Sequence, residues 1–334
     1  VMTNKVLVTY GDGYGPAVIR AAEAVLRTVS PDTELLHAKI GADAYDNTGY
    51  ALPADTLDLV AECDSMLSGP VNMDGIPERN PVSTIKRQME LYIEYGEFYP
   101  LCDYIGTEGL DTVLISPTVE GALNVYESES LDGVASEYYT SIENISKIFS
   151  KSVELAEKKQ RTEICMVSDN VLYPSREELI RSTFHKYYAD TEFNVRDIST
   201  KLAMFDLAHN PSSMNTIISD IHSATCMWGE LTGLVGGSGL MPRMYIGDRK
   251  SLYVPSEVYP DDAVGRELNP TSAILSVGLM MLVFGNREAY DLILKSVREM
   301  YRLGRTTPDV GGKLNAEKFA EGVSSLILQE LKSE

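Results

Sequence analysis

The chain is 334 residues long, with 44% hydrophobic and 23% charged side chains, a composition that supports a core without disulfides or a structural metal. At ~100–200 residues per domain, it is long enough for about two domains. Its 29 basic and 49 acidic residues give a formal net charge of −20, which disfavours nucleic acid and anionic membrane surfaces as general partners. An anionic substrate in a locally basic pocket is not excluded.

The longest apolar run, near Ser272–Phe284, is shorter than the ~18 residues of a membrane span. Val6–Tyr10 is followed at once by glycines and an aspartate, unlike a signal peptide. Cys63, Cys102, Cys165 and Cys226 form no CxxC pair and no Cys/His metal spacing, so the expected compartment is the reducing cytoplasm.

Strand-like and helix-like patterns alternate, which predicts an α/β protein. Val6–Tyr10 reads as a strand, Gly11–Pro16 as a turn, and Ala17–Val29 as a helix with apolar residues at helical spacing. Asp111–Ile115, Glu163–Ser168 and Thr216–Ser219 read as further strands, with helices over Ile142–Glu157, Arg176–Tyr188 and Lys201–Ala208. The last third turns helical. Thr271–Phe284 is apolar nearly all round and predicts a buried helix, followed by amphipathic helices over Arg287–Leu303 and Ala316–Leu331. No Pro/Gly/Ser-rich linker separates two domains, so the chain is expected to cross between them more than once.

Gly11-Asp12-Gly13-Tyr14-Gly15-Pro16 follows a strand and opens a helix, but it is not the dinucleotide fingerprint, since its third glycine comes too early and a proline follows. By itself it reads equally as a tight turn with Pro16 early in the helix. It resembles, however, the GDGIGP opening of the β-decarboxylating dehydrogenases, the isocitrate and 3-isopropylmalate dehydrogenase family. Asp169-Asn170-Val171-Leu172 with Ser175 resembles that family's K-A-N-V-L…S segment, and Gly236–Pro242 with Ile246-Gly247 its GSLGLLP…IG stretch. Asn269-Pro270 through Ser276 is similar to its NPIATILS helix, and Thr306–Gly312 to its T-x-D-x-G-G. The blocks stand in family order over essentially the whole chain. The resemblance implies an α/β, two-domain isopropylmalate/isocitrate dehydrogenase-like fold that is not a Rossmann fold. The first domain would comprise residues 1–99 and 245–334, and the second residues 100–244, which would carry the contacts of a homodimer.

The family reaction oxidises a 2-hydroxy acid with NAD(P) and then decarboxylates it. Arginines hold substrate carboxylates, three aspartates hold Mg²⁺ or Mn²⁺, and a lysine and a tyrosine move protons. Counted from the nearest matching block, the three arginines fall on Lys86, Gly96 and Ser116, the tyrosine on Leu123, and the lysine on Ser168. The metal aspartates fall on Lys201, Thr225 and Gly229. None is retained, so Mg²⁺ or Mn²⁺ is not expected. Asp197 or Tyr126 could answer for a slip of alignment at two positions, and Asp220 precedes the helix of the other two. The Lys201 ammonium could stand in for part of the ion's charge, or the side chain could simply reach solvent. Of four scattered histidines, only His222 lies near this region.

The family's H-G-S-A-P-D-I-A-G cofactor loop corresponds to Ser256–Val264, in which Pro260, Asp261 and Ala263 match. By resemblance Asp261 would bond the adenosine ribose and Asn269 the adenine, which favours NAD over NADP. Otherwise Asn269 caps the helix after Pro270, and Asp261 is a solvated loop residue. Cys226, beside Trp228, reads as core. Tyr92, Tyr95, Phe98 and Tyr99 either line the cleft or pack.

Three readings remain. The first is a non-catalytic family member that binds a nucleotide or an unidentified small molecule, or partners a catalytic paralogue. The second is a metal-independent NAD oxidoreductase of a 2-hydroxy acid, using Lys86, Lys201 or His222. The third is an ordinary dehydrogenase whose residues are misplaced by the count. The sequence favours a divergent member that does not run the standard metal-dependent decarboxylation.

Overall fold

The computed structural model describes residues 4–122, 124–169, 173–255 and 268–333. Strand β1 (Lys5–Thr9) feeds helix α1 (Gly15–Val29), whose buried stripe runs through Val18, Ala22, Val25 and Leu26 at helical spacing. β2 (Glu34–Ala38) and β3 (Ser65–Ser68) flank β1 in parallel. The short helices α2 (Ala42–Thr48), α3 (Ala54–Glu62) and α4 (Pro81–Gln88) precede β4 (Ile93–Phe98).

The middle of the chain starts with β5 (Thr112–Pro117), a single helical turn α5 (Val119–Ala122), and an antiparallel ribbon of β6 (Asn124–Glu129) and β7 (Val134–Tyr139). It continues as α6 (Ile142–Lys158), β8 (Glu163–Ser168), α7 (Pro174–Tyr188), β9 (Asn194–Ser199), α8 (Thr200–His209), β10 (Thr216–Ser219) and α9 (Ile221–Val235). β11 (Arg243–Ile246) and β12 (Ser251–Tyr253) return the chain to its first half. There α10 (Thr271–Val283), α11 (Arg287–Arg302) and α12 (Ala316–Ser333) pack with α1 as one helical layer. Every residue of α10 from Thr271 to Leu282 is buried, as its lack of a polar face requires.

Ten strands form one sheet in the order β2-β1-β3-β12-β11-β4-β5-β10-β8-β9. Its two ends are parallel, and the antiparallel pairings of β11 and β4 with their neighbours join them. The chain passes through this middle twice, after β4 and again at β11. The division expected at 99/100 and 244/245 falls beside the end of β4 and within β11. β5, β10, β8 and β9 run in parallel, so their carboxyl ends share one rim. The antiparallel register adds the start of β4 and the end of β11 to that rim. Crevices at the carboxyl ends of parallel strands are where α/β sheets hold ligands.

Tyr92, Tyr95, Phe98 and Tyr99 are buried packing residues. Buried among them, Glu97 meets the Lys159 ammonium at 3.1 Å and accepts from the hydroxyls of Tyr95 at 2.9 Å and Tyr290 at 2.6 Å. The cysteines are free thiols, and Cys226, expected in the core, is exposed because α9 turns that face outward. Among the described residues no helix is long and apolar enough to cross a membrane.

Candidate functional site

Two ion pairs and one indole lie at and just behind the middle of the rim. Lys86, in the last turn of α4, meets Glu120 of α5 at 3.0 Å, with both side chains largely buried. Burial pushes the Glu120 carboxyl up, but the Lys86 ammonium outweighs it and holds the group below the ordinary glutamate range. Lys86 also lies 4.4 Å from the centroid of the Tyr245 ring. Breaking such a pair from one side costs about 3–5 kcal/mol, so this ammonium is a neutralised fixture rather than a loose cation.

Gly96 faces α9. A Cβ there would come within 2.5 Å of Trp228 Cη2, so the indole occupies the space a side chain at 96 would need. The indole Nε1–H donates to Ser116 Oγ at 3.3 Å, and Phe98 meets the ring edge-on at 5.3 Å. Two of the positions reached by counting, Gly96 and Ser116, thus adjoin the helix that carries two others, Thr225 and Gly229. Trp228 lies between them. Arg243 completes this group. Its Nε donates to Glu94 Oε1 at 2.7 Å, its Nη2 donates to the Tyr245 hydroxyl, and its guanidinium lies 5.6 Å from the Trp228 centroid. Counting from motifs missed Trp228, Glu94 and Arg243. An isolated tryptophan on a helix and a glycine inside a β-rich run were the available signals.

A second group lies further along the rim. The Ser168 hydroxyl, at the end of β8, donates to Glu177 Oε1, while Glu177 Oε2 is buried without a hydrogen-bond partner. Burial pushes the Glu177 carboxyl above its ordinary range against the pull of that hydroxyl. Asp220 caps α9, accepting from the Ser223 backbone N–H at 2.7 Å, and meets Arg176 at 3.2 Å. Arg176 lies 4.7 Å from the centroid of the Tyr138 ring. The Tyr138 hydroxyl and His222 Nε2 share a hydrogen bond, and the His222 ring stacks on Tyr173 at 5.4 Å. Burial pushes the Tyr138 phenol up to about 12.

Lys201 is exposed in the first turn of α8, which a 2.5 Å contact between the Thr200 and Ser223 hydroxyls ties to the start of α9. Thr225 and Gly229 are exposed on α9. The positions assigned by resemblance to the metal therefore offer an ammonium, a hydroxyl and no side chain. A hard divalent cation takes oxygen ligands, carboxylates above all, so this donor set does not fit one. Asp197 is paired with Arg181 at 2.5 Å, and Tyr126 is exposed on the ribbon. Among the described residues of one chain, no three His, Cys, Asp or Glu side chains converge. Leu123, Asn170, Val171 and Leu172 lie outside the described residues.

At the other end of the sheet, the Gly11–Pro16 turn performs a backbone task. Gly11 has a φ of +70°, and a Cβ on it would meet the Pro70 carbonyl at 2.2 Å. Asp12 accepts from the backbone N–H groups of Ala42 at 2.8 Å, Asp43 at 3.0 Å and Asn72 at 2.8 Å, which pins three loops together. Asn269 is buried. It donates to the Tyr301 hydroxyl at 3.1 Å and to Asp309 Oδ2 at 3.0 Å, and accepts from the Thr271 backbone N–H at 3.0 Å. These bonds make it a local brace at the start of α10. Pro260, Asp261 and Ala263 lie outside the described residues.

The fold recurs in known structures. A β-decarboxylating dehydrogenase from Thermococcus kodakarensis, solved in its apo form, superposes with a TM-score of 0.87 at 22% identity, over 99% of this chain and 98% of that one. An isocitrate dehydrogenase from Methylococcus capsulatus does so with a TM-score of 0.85 at 19% identity, over 97% and 99%. The architecture is thus that of a β-decarboxylating dehydrogenase. The isocitrate/isopropylmalate dehydrogenase family model matches residues 5–323, and the chain belongs to that family. Similar relatives include the 3-isopropylmalate/3-methylmalate dehydrogenase of Methanocaldococcus jannaschii, 29% identical over 98% of this chain and 100% of the relative. The isocitrate/homoisocitrate dehydrogenase of Thermus thermophilus is 26% identical over 96% and 98%.

Proposed function

We propose that this chain is a divergent family member that binds a nucleotide or small metabolite in the rim cleft and does not perform the standard metal-dependent oxidative decarboxylation. It would act as a homodimer in the cytoplasm, or as the non-catalytic partner of a catalytic paralogue. The observation that carries this reading is Trp228 seated on Gly96 and bonded to Ser116. An indole fills the ground where, by resemblance, two guanidinium groups would hold substrate carboxylates. Sites whose members act as a unit lose function as a unit, and by the count from the matching blocks the arginines, metal ligands and proton carriers all fall on other residues.

A second reading is supported by the Tyr138–His222 pair, a phenol and an imidazole in hydrogen-bond contact. Such a pair can pass a proton, and would suit an NAD-dependent oxidoreductase of a 2-hydroxy acid with a rearranged site. NAD is the cofactor proposed in either case. Calorimetric titration with NAD, with and without Mg²⁺, then with isocitrate and 3-isopropylmalate, tests both. Binding of NAD without metal and without NADH formation is expected. NADH formed from either acid only in the presence of Mg²⁺ overturns the first reading, and metal-independent turnover of a 2-hydroxy acid favours the second.

A further inference from the structure

Arg243 stands directly across the β11–β4 ladder from Gly96, so the two residues share a face of the sheet and only one of them projects a side chain. The guanidinium extends between two rings, 5.6 Å from the Trp228 centroid and 5.1 Å from that of Tyr245. Nε donates to Glu94 Oε1 at 2.7 Å, and Nη2 reaches the same oxygen and the Tyr245 hydroxyl. Lys86 approaches the same tyrosine ring, at 4.4 Å, and is paired with Glu120. Two cations and two carboxylates therefore meet around Tyr245, and their formal charges cancel.

We propose that Arg243 is the carboxylate-receiving residue of the cleft, that Glu94, Tyr245 and Trp228 position it, and that the ligand is a monocarboxylate whose apolar body rests on Trp228. The inference rests on the reading of this cleft as a ligand site. A guanidinium is a planar fork with more than one edge for a carboxylate. Glu94 takes the edge formed by Nε and Nη2, the Tyr245 hydroxyl takes the other Nη2 hydrogen, and Nη1 is the donor assigned to the ligand. The balanced charges set the ligand's valence. One carboxylate gains a charge-assisted contact, but a second would enter a partly buried place where both cations already have internal partners, and desolvating it would go uncompensated. The indole, 5.6 Å from the guanidinium, places apolar surface rather than a further cation beside it.

Trp228 is the sole tryptophan of the chain, so its emission reads this cleft alone. The full chain would be titrated with 2-hydroxyisocaproate, lactate, malate and 3-isopropylmalate while that emission is followed. Saturable binding of 2-hydroxyisocaproate is expected, about tenfold tighter than that of lactate or of either dicarboxylate. Arg243→Gln should abolish the response. Glu94→Gln releases the guanidinium and leaves the site with one net positive charge. It should tighten malate by about tenfold, a gain that loss of folding cannot produce. The proposal is overturned if the wild-type protein prefers a dicarboxylate, if no acid gives a saturable response, or if Glu94→Gln binds malate no better than wild type. Mg²⁺-dependent NADH formation from 3-isopropylmalate would overturn the proposed function instead. The two variants decide the role of Arg243 whichever way that assay falls.

Discussion

Glu177 shows what one buried carboxyl costs. Its carboxyl is buried with one oxygen satisfied by Ser168 and the other orphaned, and burial raises its affinity for a proton. A carboxyl with a raised folded-state pKa contributes its full stability below the ordinary glutamate range and loses it as pH rises through the raised value. At neutral pH the wild-type protein therefore carries a penalty that an amide would avoid. Glu177→Gln should stabilise the fold by about 1 kcal/mol in urea unfolding at neutral pH, with the difference shrinking towards pH ~4. Equal or lower stability of the variant at neutral pH would contradict this account. The same scale shows how far the site could be read from sequence. Counting from the matching blocks led to Gly96, Ser116 and the face of α9, and the fold brings these together. It could not show that Trp228 fills the space over Gly96, or that Arg243 stands across the ladder from it, because both depend on cross-strand register and on how α9 lies against the sheet. Asn269 showed the reverse: a cap and an adenine ligand look alike in sequence, and only its contacts to Tyr301 and Asp309 display the local brace.

Among the elements, helices and parallel strands with strong periodicity were legible. Glu163–Ser168 and Thr216–Ser219 were read to the residue, and α10 was recognisable from its unbroken apolar surface. The weak strands of the antiparallel middle, β4, β11 and β12, were not, since short runs with mixed residues carry little period and gain their pairing from the sheet. The β6–β7 ribbon was missed for the same reason, and its exposed apolar side chains point to a partner. A two-stranded ribbon alone is marginal in water. This one exposes Val125, Tyr126, Leu131, Val134 and Tyr139, more apolar surface than so small an element leaves to solvent without a purpose. It lies in the middle portion of the chain, where the proposed homodimer has its contacts. Replacing Val125 and Val134 together by serine should weaken self-association by about tenfold or more, read by sedimentation velocity over a concentration series. A double variant that stays as dimeric as wild type would place the interface elsewhere.

For the whole molecule, the dominant fact is a net charge of −20 that the fold must hold together. Surface ion pairs offset little of it. Lys295–Glu330, Lys318–Glu321 and Lys39–Asp43 are largely exposed, and such pairs contribute about 0–1 kcal/mol each at low salt and less as salt rises. Self-repulsion among the excess carboxylates acts across the whole surface and is relieved by folding nowhere. Salt screens both effects, since the Debye length falls from ~10 Å at 0.1 M to ~3 Å at 1 M. The sign of the net response is set by which is larger, and an excess of twenty uncompensated charges outweighs a few weak pairs. The thermal midpoint should therefore rise with NaCl, most steeply below about 0.2 M, where the Debye length shortens fastest. The buried pairs Lys86–Glu120 and Lys159–Glu97 are shielded from the ions and should not contribute to the slope. A midpoint that falls on adding salt would mean that attraction between charges, not repulsion, governs this surface, and would send the search for stabilising contacts to the exposed ion pairs. A rise that continues into molar salt would instead mark a surface whose acidic excess is matched to concentrated electrolyte.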